Sequence, residues 1–169
     1  MHYQEKKSSA RSGFTLIETL VAITILLLAI GGPLSIASRG IFASNIARDQ
    51  ITAFYLAQEG VEYIRNVRDE NNLHASPWLS GLSNCTSPNV CSIDAKNKTI
   101  GACSGQCPVL LLDNDHFYNF VSGTPTSFHR SIQLTQLNDH EIAISVTIAW
   151  QTGAIPRSFT VRENILNWQ

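Results

Sequence analysis

Residues 14–38 read FTLIETLVAITILLLAIGGPLSIAS, and this stretch decides the fold. Sixteen of its 25 residues are apolar, and its one charged residue is Glu18. A helix of this length spans about 37 Å, which is enough to cross a hydrocarbon core of about 30 Å. The stretch therefore predicts a single membrane-spanning helix.

The charges on either side of this stretch predict its orientation. Residues 1–13 carry three basic side chains and one acid, and the next charge after the stretch is Arg39. The positive-inside rule then places residues 1–13 in the cytoplasm and everything after Ser38 outside. A secretory signal peptide is the alternative, but its apolar core runs for only about 7–15 residues and is not interrupted by a carboxylate.

The composition of the 169-residue chain excludes several classes of protein. A net charge of −1 and a pI near 6.5 argue against a dedicated nucleic-acid binder. The charged fraction of 15%, against about 25% in typical soluble domains, disfavours an ordinary cytosolic enzyme. A hydrophobic fraction of 44% excludes a disordered chain. A mean hydropathy of +0.01 is too low for a membrane protein with several transmembrane helices.

Glu18 has two interpretations. Thr15-Leu16-Ile17-Glu18 fits a capping box, in which both side chains satisfy backbone groups at the start of a helix. A carboxylate also suits the positive end of the helix dipole. The alternative is functional, because an acid within a membrane span is costly and needs a partner.

The residues around Glu18 support the functional interpretation. Gly13-Phe14-Thr15-Leu16-Ile17-Glu18, after a short basic leader and before an apolar run, resembles the N-terminal signature of type IV prepilins and pseudopilins. The resemblance covers roughly residues 6–33. It implies that a prepilin peptidase cuts between Gly13 and Phe14, that Phe14 is then N-methylated, and that Glu18 serves subunit assembly.

The physical chemistry of Glu18 agrees with this implication. Cleavage creates an α-ammonium at Phe14, and a carboxylate at the same membrane depth on a neighbouring subunit is its natural counter-ion. Such a pairing repeats from subunit to subunit and builds a helical filament. Later in the span, Gly31, Gly32 and Pro33 predict a helix kink, and the resemblance adds local unwinding of the helix in the fibre.

The helical pattern continues beyond the membrane as an amphipathic half, residues 39–68. Seven apolar residues form one stripe that is expected to face a protein core: Ala47, Ile51, Phe54, Ala57, Val61, Ile64 and Val67. A polar run beginning at Asp69, followed by Pro77, predicts the end of the helix near Arg68.

Residues 69–108 are predicted to form a long loop that contains all four cysteines. An even number of cysteines outside the cytosol indicates two disulfides, and three connectivities are possible. The local pairs Cys85–Cys91 and Cys103–Cys107 are preferred because they close short loops. A zinc site is the alternative, although the spacing of these cysteines is not typical of one.

Residues 109–169 are predicted to form an antiparallel β-sheet head. Val109–Leu112 is a short apolar run, residues 128–134 alternate, and residues 142–150 alternate most regularly. A last strand begins near Phe159 and is expected to be interrupted at Glu163. One face of the sheet is apolar and matches the stripe of the helix. The fold class is therefore α+β, the type IV pilin-like fold that the resemblance implies.

No catalytic motif is present, so the chain is predicted not to be an enzyme and to hold no cofactor and no metal. Asp113, Asp115 and His116 form a small cluster that could alternatively hold a hard cation. The five histidines are scattered along the chain.

The sequence therefore predicts a minor pilin or pseudopilin subunit. Its precursor is expected to span the cytoplasmic membrane once and then to join a type IV pilus or related fibre. The expected partners are other pilin subunits, prepilin peptidase, the assembly machinery and the lipid bilayer, without direct binding of nucleic acid. Alternatives are an anchored extracytoplasmic adhesin or binding domain, and a type II secretion or DNA-uptake pseudopilin.

Overall fold

The computed structural model describes residues 13–167, so only Gly13 of the predicted leader lies within the described residues. The chain divides into two units, residues 1–44 and residues 45–169. The secondary structure consists of one long N-terminal apolar helix followed by an antiparallel sheet. This is the α+β, pilin-like fold that the sequence predicts.

The helix, α1 (Leu16–Leu73), has 58 residues and ends five residues later than predicted. The polar run after Arg68 is still helical, because polar side chains alone do not end a helix. Asn71 uses its side-chain amide to donate hydrogen bonds to the carbonyls of Trp78 and Ser80. The chain leaves the helix just before Ala75, which has a positive φ of 53°.

The sheet has seven strands and is antiparallel throughout. After a short 3-10 turn at Ser83–Cys85, the strands are β1 (Cys91–Asp94), β2 (Thr99–Ala102), β3 (Val109–Leu112), β4 (Tyr118–Asn119), β5 (Thr124–Asn138), β6 (Glu141–Thr152) and β7 (Ile155–Leu166). One edge of β5 pairs with β6, which pairs with β7. The other edge of β5 pairs with β3 near its start and with β1 at Ile132.

Two predictions about the sheet are wrong. The segment 69–108 is not only a loop, because β1 and β2 form a hairpin within it, with Ile93 opposite Ile100. In addition, β7 is not interrupted at Glu163, which pairs with Ile144 in an unbroken register. The carboxylate of Glu163 is tolerated on the helix-facing side because Arg65 of α1 forms an ion pair with it.

The core lies between one face of α1 and the inner faces of β5 and β6. The predicted stripe is correct at Ala57, Val61 and Ile64 but wrong at Ile51 and Phe54, which are 58% and 42% exposed. The buried face begins at Ala53 and continues through Leu56, Ala57, Gly60, Val61 and Ile64. Apolar residues occupy two neighbouring faces of this helix, and the sheet covers only one of them.

Gly60 determines how closely the helix approaches the sheet. A Cβ at this position would lie 3.0 Å from Cγ1 of Val146 and 3.4 Å from Cδ1 of Ile132. A glycine in a helix interior costs about 1 kcal/mol relative to alanine. Here that cost is offset, because the absent side chain allows the helix to contact the two central strands.

We expect Gly60→Val to destabilise the fold by about 1–3 kcal/mol, because its branched side chain would overpack the contact with Val146. The measurement is the free energy of unfolding in urea, with the full chain in uncharged detergent. Gly101→Val is the matched control, because no atom lies within 4 Å of a Cβ at Gly101. Equal stability of the two variants would contradict the role of Gly60.

Candidate functional site

The predicted processing site lies immediately before α1. Gly13, Phe14 and Thr15 are not helical, and the helix begins at Leu16. Phe14 is 78% exposed, and no atom lies within 4 Å of a Cβ at Gly13. The bond between Gly13 and Phe14 is therefore outside the hydrogen-bonded helix, in a backbone conformation that an enzyme can reach without unwinding α1.

Thr15 caps the start of the helix. The N–H of Glu18 donates to Oγ1 of Thr15 at 3.3 Å and to its carbonyl at 3.1 Å, and the N–H of Thr19 donates to the same carbonyl at 3.2 Å. A threonine at the N-cap that satisfies a donor three residues later is one half of a capping box. This cap fixes Glu18 in the first turn of the helix.

The carboxylate of Glu18 has no charged partner in the described part of the chain. The ion pairs among residues 13–167 all involve residues from Glu59 onward. Glu18 itself is exposed and is flanked by exposed apolar residues such as Ile17, which is 72% exposed. The position suits the positive end of the helix dipole, and within residues 13–167 the carboxylate is free to pair with a further cation.

The apolar stretch has no protein core of its own. Every residue from Gly13 to Asn45 is exposed. Among the described residues, α1 is the one helix that is long and apolar enough to cross a membrane, and its apolar window is entirely unburied. A core helix of a soluble protein would bury such a face, so this stretch fits a lipid-facing anchor.

The helix is continuous through Gly31, Gly32 and Pro33. No atom lies within 4 Å of a Cβ built at either glycine. A proline inside a helix removes one backbone hydrogen bond and weakens the turn before it. The kink and the unwinding in a fibre therefore stay predictions for this segment.

The comparison with known families agrees with this N-terminal geometry. The family model described as the prokaryotic N-terminal methylation motif matches residues 8–32. The chain carries a type IV prepilin-like signature. This signature supports a type IV pilin-like or pseudopilin-like precursor, a kind of protein that is generally structural. The motif implies processing by prepilin peptidase and assembly with other pilins, and together with the apolar helix it fits anchoring in the inner membrane.

The match ends before the sheet begins, so it does not describe residues 33–169. No curated protein and no solved structure matches the chain significantly.

Two disulfides join Cys85 to Cys91 and Cys103 to Cys107. These are the two local pairs that the sequence favours, and they leave no free thiolate for the alternative zinc site. Cys85 and Cys91 are fully buried in the core, where their disulfide holds the 3-10 turn against the start of β1. Cys107 also accepts a hydrogen bond through its carbonyl, from Nδ1 of His129 at 2.8 Å.

The cluster at Asp113 is occupied by a lysine. Asp113 forms an ion pair with Lys96, whose Nζ lies 3.5 Å from Asp115. The ammonium group lowers the pKa of Asp113, with help from the backbone N–H of Phe117, and Asp113 in turn raises the pKa of Lys96. In this structure the cation beside the cluster is the ammonium group of Lys96.

The sequence did not reveal a role for Arg130, although it placed this arginine among the apolar positions of β5. Arg130 is completely buried. Its Nη1 donates to the carbonyl of Leu56 at 3.1 Å and to Oε2 of Glu59 at 2.5 Å, and its Nη2 donates to the carbonyl of Ile93 at 2.7 Å. The sequence indicates a buried role for Arg130 only through its place among the apolar positions of the strand, because an arginine on an apolar face needs a buried partner.

Asp94 is the second buried charge beside this arginine. It accepts hydrogen bonds at 2.9 Å from the backbone and side chain of Asn97 and from the N–H of Phe120. Burial alone raises the pKa of Asp94, but these three hydrogen bonds and the charge of Arg130 together outweigh burial and lower it. The folded protein therefore favours the ionised carboxylate.

We expect this pKa shift to make the fold sensitive to acid. Because the pKa of Asp94 is lower in the folded chain than its unfolded value near 3.9, its contribution is complete above about pH 4. The contribution is lost as the pH falls through the folded pKa. Asp94→Asn should cost about 1–3 kcal/mol at pH 7, and the difference from the unaltered chain should shrink below about pH 4.

The measurement is the free energy of urea unfolding at pH 7, 4 and 3. Asp139→Asn is the control, because Asp139 is an exposed acid in the turn between β5 and β6. A difference for Asp94→Asn that stays constant from pH 7 to pH 3 would show that ionisation of Asp94 does not stabilise the fold.

Proposed function

We propose that this chain is a minor pilin or pseudopilin subunit. Prepilin peptidase would cut after Gly13 and methylate Phe14, and the mature chain would join a type IV pilus or related filament. The observation that carries the proposal is the arrangement at the N-terminus. The matched motif includes the non-helical residues 13–15 and the start of a capped helix whose apolar window is entirely exposed.

The assembly step follows from the charges. The new α-ammonium of Phe14 and the carboxylate of Glu18 would both lie at membrane depth, where an unpaired charge is expensive. Pairing the ammonium of one subunit with Glu18 of its neighbour neutralises both charges. Because each chain supplies one group of each sign, the contact is heterologous and extends into a filament.

The proposed organisation follows the predicted segments. Residues 1–13 would be the cytoplasmic leader, and residues 14–38 would be the transmembrane half of the helix. Residues 39–68 would be its amphipathic half, with residues 69–108 and 109–169 in the extracytoplasmic head. The precursor would thus wait in the inner membrane with its N-terminus in the cytoplasm and later enter the fibre.

A minor role is favoured over a major one by the irregular segment 69–108, which has two disulfides and suits a subunit at the tip or in priming. Quantitative mass spectrometry of purified filaments tests this part of the proposal. A minor pilin should be far less abundant than the main subunit. The type of secretion or pilus system to which the filament belongs would decide between pilin and pseudopilin.

Gly13→Val should abolish processing almost completely, because a branched side chain next to the scissile bond would occupy space that the glycine leaves open. Mass spectrometry of the N-terminal peptide from membranes of cells with the peptidase is the measurement. The unaltered chain should begin with N-methyl-phenylalanine at position 14, while the variant should keep residues 1–13.

The control for this experiment is Gly40→Val, which changes a glycine within α1 that is equally open to a larger side chain. Its mature chain should begin at Phe14. If the unaltered chain instead keeps Met1 in mature membranes, the prepilin proposal is wrong, and an anchored extracytoplasmic binding domain becomes the better interpretation.

Glu18→Ala should leave membrane insertion and cleavage intact but lower incorporation into filaments by at least about tenfold, because the neighbouring ammonium loses its counter-ion. The measurement compares the amount of the chain in sheared filaments with the amount in membranes. Glu70→Ala, which removes an exposed acid near the other end of α1, should assemble normally. Normal incorporation of Glu18→Ala would rule out the assembly role.

A further inference from the structure

A small pocket between α1 and the β6–β7 hairpin is lined by two residues that carry buried hydrogen-bond donors without an acceptor among the described residues. The pocket has a volume of about 250 Å³. Its lining residues are Gln50 of α1, Trp150 of β6, and Arg157, Ser158 and Phe159 of β7. None of these residues belongs to the N-terminal processing site.

Trp150 and Arg157 supply the two unsatisfied donors. Trp150 is only 5% exposed, and its indole Nε1 has no hydrogen-bond acceptor among residues 13–167. Nε of Arg157 is also buried without a partner in that part of the chain. The two residues are directly opposite in the antiparallel register, so their side chains are neighbours on one face of the sheet.

The pocket is positively charged. No carboxylate lines it, and Arg157 forms no ion pair with any described residue. Asp49, which precedes Gln50 on the helix, instead accepts a hydrogen bond from Thr152 at 3.0 Å. A buried donor without an acceptor is destabilising, and two of them, one of which belongs to an unpaired guanidinium, indicate an acceptor from outside the described residues.

An apolar groove of about 480 Å³ adjoins the pocket and shares Gln50 and Phe159 with it. Its other lining residues are Ala47, Ile51, Phe54 and Tyr55. The ring of Phe54 lies 5.9 Å from the ring of Phe159 and 5.9 Å from that of Tyr55, measured between centroids. The exposed part of the predicted helical stripe therefore forms an aromatic surface directly beside the donors.

We propose that the pocket binds a carboxylate that is attached to an apolar body. The Nε–H and one Nη–H of an arginine form a planar pair of donors that matches the two oxygens of a carboxylate. The indole N–H of Trp150 donates a third hydrogen bond to the same group. The apolar body lies in the groove against Phe54 and Phe159.

Two sources would present this chemistry. One is a free hydrophobic acid, and the other is an acidic group among apolar residues of a neighbouring subunit. The site itself does not depend on the proposed pilin function, since all of its residues lie between Ala47 and Phe159 in the second unit.

The test is an NMR titration of the full, ¹⁵N-labelled chain in an uncharged detergent. The indole N–H resonance of Trp150 is assigned by its loss in Trp150→Phe. We expect a saturable shift of this resonance with phenylacetate, a weaker response to acetate, and none with inorganic phosphate or 2-phenylethanol. Arg157→Gln should weaken phenylacetate binding about 10- to 100-fold, which corresponds to the loss of charge-assisted hydrogen bonds.

Arg162→Gln is the matched control, because Arg162 is an exposed arginine on the same strand and lies outside the pocket. It should bind phenylacetate like the unaltered chain. If Arg157→Gln does not fold, calorimetry on Trp150→Phe replaces it, because this variant keeps the charge and a ring and should bind about tenfold more weakly. The proposal is wrong if no saturable shift occurs, if phosphate or 2-phenylethanol binds equally well, or if Arg157→Gln binds normally.

Experiments on assembled filaments distinguish the two sources of the carboxylate. Only these experiments rest on the proposed function. If a neighbouring subunit supplies the carboxylate, filaments should not bind added phenylacetate, and Arg157→Gln should be incorporated poorly. If the ligand is a free acid, filaments should bind phenylacetate and Arg157→Gln should be incorporated normally. Glu18→Ala in detergent should bind phenylacetate in either case. A loss of filament assembly can therefore be distinguished from a loss of ligand binding by the pocket.

Discussion

The buried guanidinium of Arg130 is the constraint on which the arrangement of the sheet and the helix depends. A charge that is fully removed from water is tolerated only when it is paired and hydrogen-bonded. The acceptors of Nη1 and Nη2 of Arg130 come from two elements other than its own strand, β5, since Leu56 and Glu59 lie on the helix and Ile93 lies on β1. A shift of the helix relative to β5 would break the ion pair with Glu59, and a shift of the hairpin would leave Nη2 of Arg130 without its acceptor.

This constraint explains why the cysteine-containing segment is part of the core. The hairpin β1–β2 has little apolar surface, and β1 pairs with β5 at a single position, Cys91 with Ile132. Three other devices hold the hairpin in place: the carbonyl of Ile93 on Arg130, the hydrogen bonds of Asp94, and the Cys85–Cys91 disulfide. Polar contacts and a covalent bond thus replace the apolar area that a short strand cannot bury.

The sequence predicted those features whose cause lies within a few residues. The regular alternation from Ile142 to Trp150 requires a half-buried strand, and a capped apolar run requires a helix that begins near Leu16. The partners of Arg130 could not be predicted in this way, because Glu59 lies 71 residues away from it. The exposed position of Ile51 was also missed, since the face that the sheet covers is set by the close approach at Gly60.

The two ends of α1 differ in how their apolar surface is covered, and this difference explains how the proposed cleavage would promote assembly. Around Gly60 the helix buries one face against the sheet, whereas around Glu18 no part of residues 13–167 covers it. In the proposed mature chain, the new ammonium group at Phe14 would lie just before the first helical residue, Leu16, and Glu18 would lie in the first turn. Both charges would then be at one end of the apolar stretch, where an unpaired charge is expensive. Pairing each of them with a neighbouring subunit would therefore favour assembly, together with the burial of apolar surface between helices.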